Sequence, residues 1–323
     1  MSSPTRLILV TGHTFGLRAF EGIFAAPAYL EGRLSVEMMV GLDTGKAGGT
    51  VGFLSSTGLA AEQGVRHVYT ADGRLTALAG TIRECRPHYL LVIGWSRLVA
   101  PEVLAIPAEF AEPGEKAAGA FGCIGMHPTK LPTGRGQAPI PWTIIKGLRE
   151  TALSVFFLEA AADTGSLIAQ YDLPVHPRET AASLFYRVAG THFTAGFELA
   201  GRLADRSVRA LPQDGGIATV WPKRRPADGE ISSSMAFDEI DALVRALLGP
   251  YPRAFVSIGG QQYPVRSAEY VGPPTTRAAP VAPGDPGDPA GAAISAQVEV
   301  DCVYLPCRDG VVRLLRADGK SAH

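Results

Sequence analysis

Short apolar runs alternate with stretches of helical spacing through the first half of the chain. Residues 7–11 read as a strand, followed by the turn Gly12-His13-Thr14-Phe15-Gly16 and a helical stretch over 17–30. Further strands are expected at 35–41, 66–70, 88–94 and 121–126, with a helix over 76–84 before the fourth strand. The run Tyr89-Leu90-Leu91-Val92-Ile93 is apolar at every position, not at every second one, so both faces of this strand are expected to be buried. Strands that alternate with helices predict βαβ units. The expected fold class is α/β, Rossmann-like, with a mainly parallel sheet carrying helices on both faces.

After residue 127 the pattern breaks into a Pro/Gly-rich loop, followed by a short helix over 141–146 and strands at 152–158 and 167–171. Residues 179–205 read as one long helix, with Leu184, Val188, Phe197 and Leu199 on its buried side. A polar loop follows at 221–229, then a helix over 237–248 ended by Gly249-Pro250, and a hairpin of strands 255–258 and 263–270. Two last strands are expected at 297–304 and 311–315, joined at Arg308-Asp309-Gly310. This organisation divides the chain into a main domain (1–205), an extension of it (206–271), a proline-punctuated linker (272–292) and a small β-rich appendage (293–323).

Composition narrows the class. Hydrophobic residues make up 46% and charged residues 19%, enough apolar material for a sizeable core. The formal net charge is −1 and the longest basic cluster is Lys223-Arg224-Arg225, which argues against a dedicated nucleic-acid partner. The apolar run at 7–10 is shorter than the roughly 7–15 residues of a signal peptide, and no stretch approaches the roughly 18 apolar residues of a membrane span. A soluble, cytoplasmic protein without a membrane partner is expected. Cys302 and Cys307 are separated by four residues with no histidine close by, so no metal site is expected.

Candidate chemistry is sparse and local. The segment Thr11-Gly12-His13-Thr14-Phe15-Gly16 lacks the spacing of a dinucleotide loop and reads as a tight strand-to-helix turn. His67, His88 and His176 read as structural, and His192 lies inside the long helix. His127 differs: it ends an apolar strand and opens a loop with Pro128, Pro132, Gly134, Gly136 and Pro139. Polar side chains at the carboxyl ends of strands are where open α/β sheets place their chemistry. Asp163, in Asp163-Thr164-Gly165 after another strand, has turn chemistry of its own. The two could converge as an acid/base pair, or Asp163 could be a turn residue only.

Residues 122–170, GCIGMHPTKLPTGRGQAPIPWTIIKGLRETALSVFFLEAAADTGSLIAQ, resemble the core signature of formyltransferases that use N10-formyltetrahydrofolate. His127, Leu131-Pro132, Arg135-Gly136, Pro139 and Asp163-Thr164-Gly165 match its order. The likeness extends through HYLLVIGWSRLV, WPKRRPADGEI and RALLGPYPRAF, spanning residues 6 to about 270. The resemblance implies that an acceptor amine attacks the one-carbon unit of the co-substrate N10-formyltetrahydrofolate, with Asp163 and His127 relaying the amine's proton and His127 steadying charge on the intermediate. Ile93, Gly94, Trp95 and Arg97, with Asp163, would form the folate side. Arg135 and Gly136 would border the acceptor. Lys223 and Arg224 would meet the diphosphate of a nucleotide-linked amino sugar, a small-molecule acceptor that the charge balance favours over methionyl-tRNA. A homodimer stays open.

One position departs from the pattern. The resemblance implies an asparagine two residues before His127, and this chain has Gly125. Loss of an oxyanion donor costs about 10²–10³ in rate. A water or backbone N–H replaces it, or the chain is an impaired folate- or sugar-binding relative, or the transferred unit is formimidoyl and forms no strong oxyanion. Water as acceptor, releasing formate, also stays open.

Overall fold

The computed structural model describes residues 3–43, 45, 51–70, 72–111, 121–273 and 296–317. Two compact units interleave along the sequence: the first takes 1–139, 149–175 and 184–223, the second 140–148, 176–183 and 224–323. The expected linker falls almost entirely outside the described residues.

The first unit is built on a seven-stranded sheet. Its strands are β1 (Thr5–Val10), β2 (Leu34–Leu42), β3 (His67–Thr70), β4 (Tyr89–Val92), β5 (Gly122–His127), β7 (Glu150–Phe157) and β8 (Leu167–Pro174). A two-residue strand, β6 (Arg135–Gly136), lies in the loop between β5 and β7 and pairs with β9 (Val220–Trp221). The sheet order is β3-β2-β1-β4-β5-β7-β8. The first five strands are parallel; β7 and β8 run antiparallel to their neighbours.

Successive residues of β1 and β4 serve two different cores, because side chains alternate across a sheet. Leu7, Leu9, Tyr89 and Leu91 face one cluster with Phe20, Ile23, Leu199 and Leu203. Ile8, Val10, Leu90 and Val92 face the other, with Met38, Ile82 and Val103. Burial on both sides explains why these strands read as unbroken apolar runs.

The helices are more broken than the sequence pattern suggests. Pro27 has no backbone N–H to donate, so the stretch expected as 17–30 divides into α1 (Thr14–Ala25) and α2 (Pro27–Leu30). The stretch expected at 76–84 begins as a 3₁₀ turn over Leu75–Leu78 and continues as a helix over Ala79–Glu84. The long helix runs Ala181–Ala204, but Phe197 is 41% exposed, not buried. It stands two residues from both Ala195 and Leu199, about 200° around the helix from each buried neighbour. This helix crosses α1 at backbone contact: a Cβ at Gly22 would lie 2.1 Å from Phe193 O, and one at Gly196 would lie 2.0 Å from Ala19 O.

The second unit holds an antiparallel sheet in the order β10-β11-β14-β13-β12, formed by Phe255–Ile258, Gln261–Gly272, Gly310–Arg316, Cys302–Cys307 and Gln297–Val298. The helix Phe237–Ala246 packs Ile240, Leu243 and Val244 against Val256, Val265, Val303, Leu305, Val312 and Leu314. The last strands are thus joined to the 255–272 hairpin through β11 and β14. The strand expected over 297–304 is itself a hairpin, with Gln297 opposite Tyr304 and Val298 opposite Val303. The polar Glu299 and Asp301 and the exposed Val300 make its turn.

Among the described residues no helix is long and apolar enough to cross a membrane.

Candidate active site

His127 closes β5 at the carboxyl edge of the parallel strands, beside Ser154 of β7. The loop it opens is pinned to the sheet. Ser154 Oγ donates to Thr129 O (2.6 Å) and accepts from Leu131 N (3.2 Å), while Gln170 Nε2 donates to Leu131 O (2.9 Å). The loop then turns back over the histidine, placing Gly134 O 2.9 Å from His127 Nε2. A carbonyl only accepts, so Nε2 carries a proton and Nδ1 is the ring nitrogen left to face the site.

Asp163 reaches the same place from the turn between β7 and β8. Its backbone is left-handed at φ 58°, a conformation aspartate tolerates better than most residues. Gly165 lets this turn lie on the sheet, since a Cβ there would stand 1.7 Å from Phe157 O. Asp163 Oδ2 accepts from Gly136 N at 2.8 Å and faces His127 Nδ1 at 3.8 Å. Both side chains are largely shielded, 10% and 18% exposed. The structure thus brings together His127, Asp163 and Gly136.

Gly125, two residues before His127 on β5, is buried. A Cβ at that position would lie 2.6 Å from Leu158 Cδ2 and 3.4 Å from Phe156 Cζ, so apolar side chains occupy the space beside it.

Residues 93–97 follow β4, two strands from β7 across β5. Ile93 is fully buried, and Gly94 has φ 64° and lies so close to His13 that a Cβ there would stand 2.6 Å from it. Trp95 Nε1 donates to Gly73 O at 3.1 Å, and the exposed Arg97 lies over Gly73. Arg135 directs Nε and Nη2 to Gln213 Oε1 (3.2 and 2.7 Å). Lys223 is exposed at the end of the first unit. Arg224 belongs to the second, where it stacks on Trp142 at 4.9 Å and donates to Asp228 O.

Gln213, which the sequence reading did not single out, holds Arg135 and the Asp163 turn. His13, at the end of β1, caps α1 by accepting from Phe15 N (3.0 Å), and burial pushes its pKa down to about 4. His192 stacks on Phe15 at 4.6 Å, donates Nδ1–H to Val188 O (2.8 Å) and leaves Nε2 buried without a partner. Burial lowers its pKa to about 3, and His13 and His127 nearby push in the same direction. A histidine in a strand-to-helix turn was the one available signal for His13. Among the described residues no group of three His, Cys, Asp or Glu side chains could hold a metal ion.

A formyl transferase family model matches residues 57–195, and the model for the formyl transferase C-terminal domain matches 223–322. The chain belongs to the formyl transferase family. It is 30% identical to the methionyl-tRNA formyltransferase of Acetivibrio thermocellus over 185 residues, 57% of this chain and 55% of that protein. The chain spans between 52% and 61% of the length of the first curated relatives it matches. Among solved structures, a sugar 3N-formyl transferase crystallised with dTDP and 5-N-formyl-THF shares the fold at TM-score 0.65 and 12% identity, covering 98% of this chain and 99% of that one. An N-formyltransferase from Helicobacter canadensis, in complex with folinic acid and dTDP-3-aminofucose, shares it at TM-score 0.61 and 14% identity, covering 97% and 99%. In this formyl transferase the His127/Asp163 pair and the 122–170 signature fall within the first matched region.

Proposed function

We infer that this formyl transferase moves a formyl unit from N10-formyltetrahydrofolate to the primary amine of a small acceptor such as an amino sugar. The carrying observation is the facing of His127 Nδ1 and Asp163 Oδ2 across 3.8 Å. With Nε2–H committed to Gly134 O, Nδ1 and the carboxylate oxygen are left facing each other beyond direct hydrogen-bond distance, with room for a donor that reaches both. An amine nitrogen bonds to both.

The chemistry follows from that placement. As the amine's lone pair forms the new C–N bond, its nitrogen becomes acidic and its proton passes to the His127/Asp163 pair. The protonated ring steadies the negative oxygen and returns the proton to the departing N10 nitrogen as the old C–N bond breaks. Residues 94–97, outside the sheet ladder at the carboxyl end of β4, suit the flat folate head, with Ile93 packed in the core beneath them. Arg135 and Gly136 border the acceptor.

The small-amine reading draws on the net charge of −1 and on sugar N-formyl transferases that share the fold along nearly the whole chain. Purified protein given N10-formyltetrahydrofolate and a panel of dTDP-linked amino sugars is expected to release tetrahydrofolate and yield a formamide seen by mass spectrometry. Preferential formylation of methionyl-tRNA, or formate release without an amide product, would overturn it.

Gly125 and Leu158 favour a second reading, formimidoyl transfer, because the space beside the reacting carbon is apolar where an oxyanion donor would be useful. Faster turnover with the formyl donor than with formimino-tetrahydrofolate would sink it.

A further inference from the structure

The segment 211–221 is mostly exposed, with Leu211 at 75%, Ile217 at 62% and Val220 at 74%, and within it only Trp221 at the end is buried, its ring against Gly134. Hydrogen bonds hold the rest in place. Leu211 exchanges two backbone bonds with Leu167 at the start of β8 (2.8 and 2.9 Å). Thr219 accepts from Gly134 N through Oγ1 (2.9 Å) and from Arg135 N through its carbonyl (2.9 Å). Trp221 O accepts from Gln137 N at 3.2 Å, and Gly136 stands so close to that carbonyl that a Cβ would lie 2.4 Å from it. The segment is a clasp over the loop that carries Gly134 and Gly136, the residues that orient His127 and Asp163.

Gln213 lies at its centre. Its Nε2 donates to Asp163 O (2.9 Å) and Gly165 O (2.7 Å), while its Oε1 accepts from Arg135 Nε and Nη2. Two donors and two acceptor lone pairs are the whole capacity of a primary amide, and all are used. The orientation is forced, since the reversed amide would set oxygen against two carbonyls and N–H₂ against a guanidinium.

We propose that Gln213 is the positioning residue of this site: its amide locks the left-handed Asp163 turn to Arg135 and so fixes where the carboxylate stands opposite His127. A left-handed aspartate persists only where its surroundings over-determine it. Phe157 supports the turn from the sheet side and Gln213 from the other. The proposal rests on the acid/base reading of His127 and Asp163.

Gln213→Leu and Gln213→Glu test it. Leucine removes all four bonds, whereas glutamate keeps the Arg135 contacts and loses only the donors to the turn. Both are expected to lower kcat for amine formylation by roughly 10²-fold, the scale of an ångström-sized misplacement, with the KM for the folate donor changed less than twofold. A second readout needs no substrate. In protein carrying ¹⁵N-histidine, the ring-nitrogen resonances of His127 are expected to shift in both variants, while those of His13 and His192 stay. If the variants melt earlier but the His127 resonances and the kcat/KM split are unchanged, Gln213 is a structural cross-link and the proposal fails. If no amine is formylated by the parent protein yet His127 still responds, positioning stands and the transfer reading falls.

Discussion

Leu158, just past the end of β7, fills the space that a side chain at position 125 would need. An asparagine introduced there meets the end of a half-buried leucine, which can rotate away at a cost of about 1–2 kcal/mol. Gly125→Asn alone is therefore expected to lower stability by that amount in urea unfolding, and adding Leu158→Ala to recover most of it. The double variant is also the fair test of donor preference: a gain for formyl over formimidoyl turnover identifies the missing amide, and no gain leaves the apolar wall as the native arrangement. At Asp163, asparagine keeps an oxygen for Gly136 N but removes the charge facing His127. Asp163→Asn is expected to reduce kcat by 10²–10⁴, the usual worth of an acid/base group, with melting temperature nearly unchanged. A strand end and a turn mark His127 and Asp163 as residues that could converge, and it is the resemblance of 122–170 that pairs them; that Gly136 N bonds the Asp163 carboxylate is visible only in the structure. Gln213 was not legible, since a polar residue in an exposed loop looks the same whether or not its amide is fully bonded.

Elements were legible in proportion to how local their causes are. The unbroken apolar character of 89–93 announces a strand covered on both faces. The proline at position 27 announces a helix break that periodicity alone overruns. The hairpin at 297–307 was hidden because Val298, Val300 and Val303 continue the strand pattern through a turn made by Glu299 and Asp301. Helix packing depends on contacts far apart in sequence: Gly22 and Gly196 are unremarkable in their own segments, yet each lies against a carbonyl of the other helix. Gly196→Ala puts a methyl carbon 2.0 Å from Ala19 O, which α1 can relieve only by moving as a body. A loss of about 3 kcal/mol is expected from such overpacking, read as a lower urea midpoint with an unchanged slope.

Across the whole molecule, buried neutral histidines set a pH limit. His13 and His192 have folded pKa values near 4 and 3, against an ordinary value of 6.5. Below pH 6.5 the unfolded chain binds protons that the folded chain refuses, so stability falls on acidification and is flat above that point. Each histidine contributes up to about 1.4 kcal/mol per pH unit between 6.5 and its folded value. Thermal melts from pH 8 to 4.5 are expected to show this slope, and His192→Gln to reduce it; a parent curve flat through pH 5 would contradict the burial of both rings. The alternating strands and helices of the first unit were readable as a class. The segment 206–223, expected as part of an extension of the main domain, joins it through bonds of Leu211 to β8 and of Gln213 to the Asp163 turn that no periodicity encodes.

The clasp has one more consequence. Its anchors at 211, 213, 219 and 221 are bonded to β8, the Asp163 turn and the 134–137 loop, so the intervening stretch works as a spacer whose length is specified although its side-chain bonding is local, from Gly216 N to Asp214 Oδ1. Replacing Gly216 or Ile217 is expected to be neutral, whereas deleting one residue from 214–218 shifts every later anchor by about 3.3 Å and abolishes transfer in an otherwise folded protein. In a surface loop, where insertions and deletions are ordinarily the cheapest changes to accept, this formyl transferase tolerates new letters and not a new count.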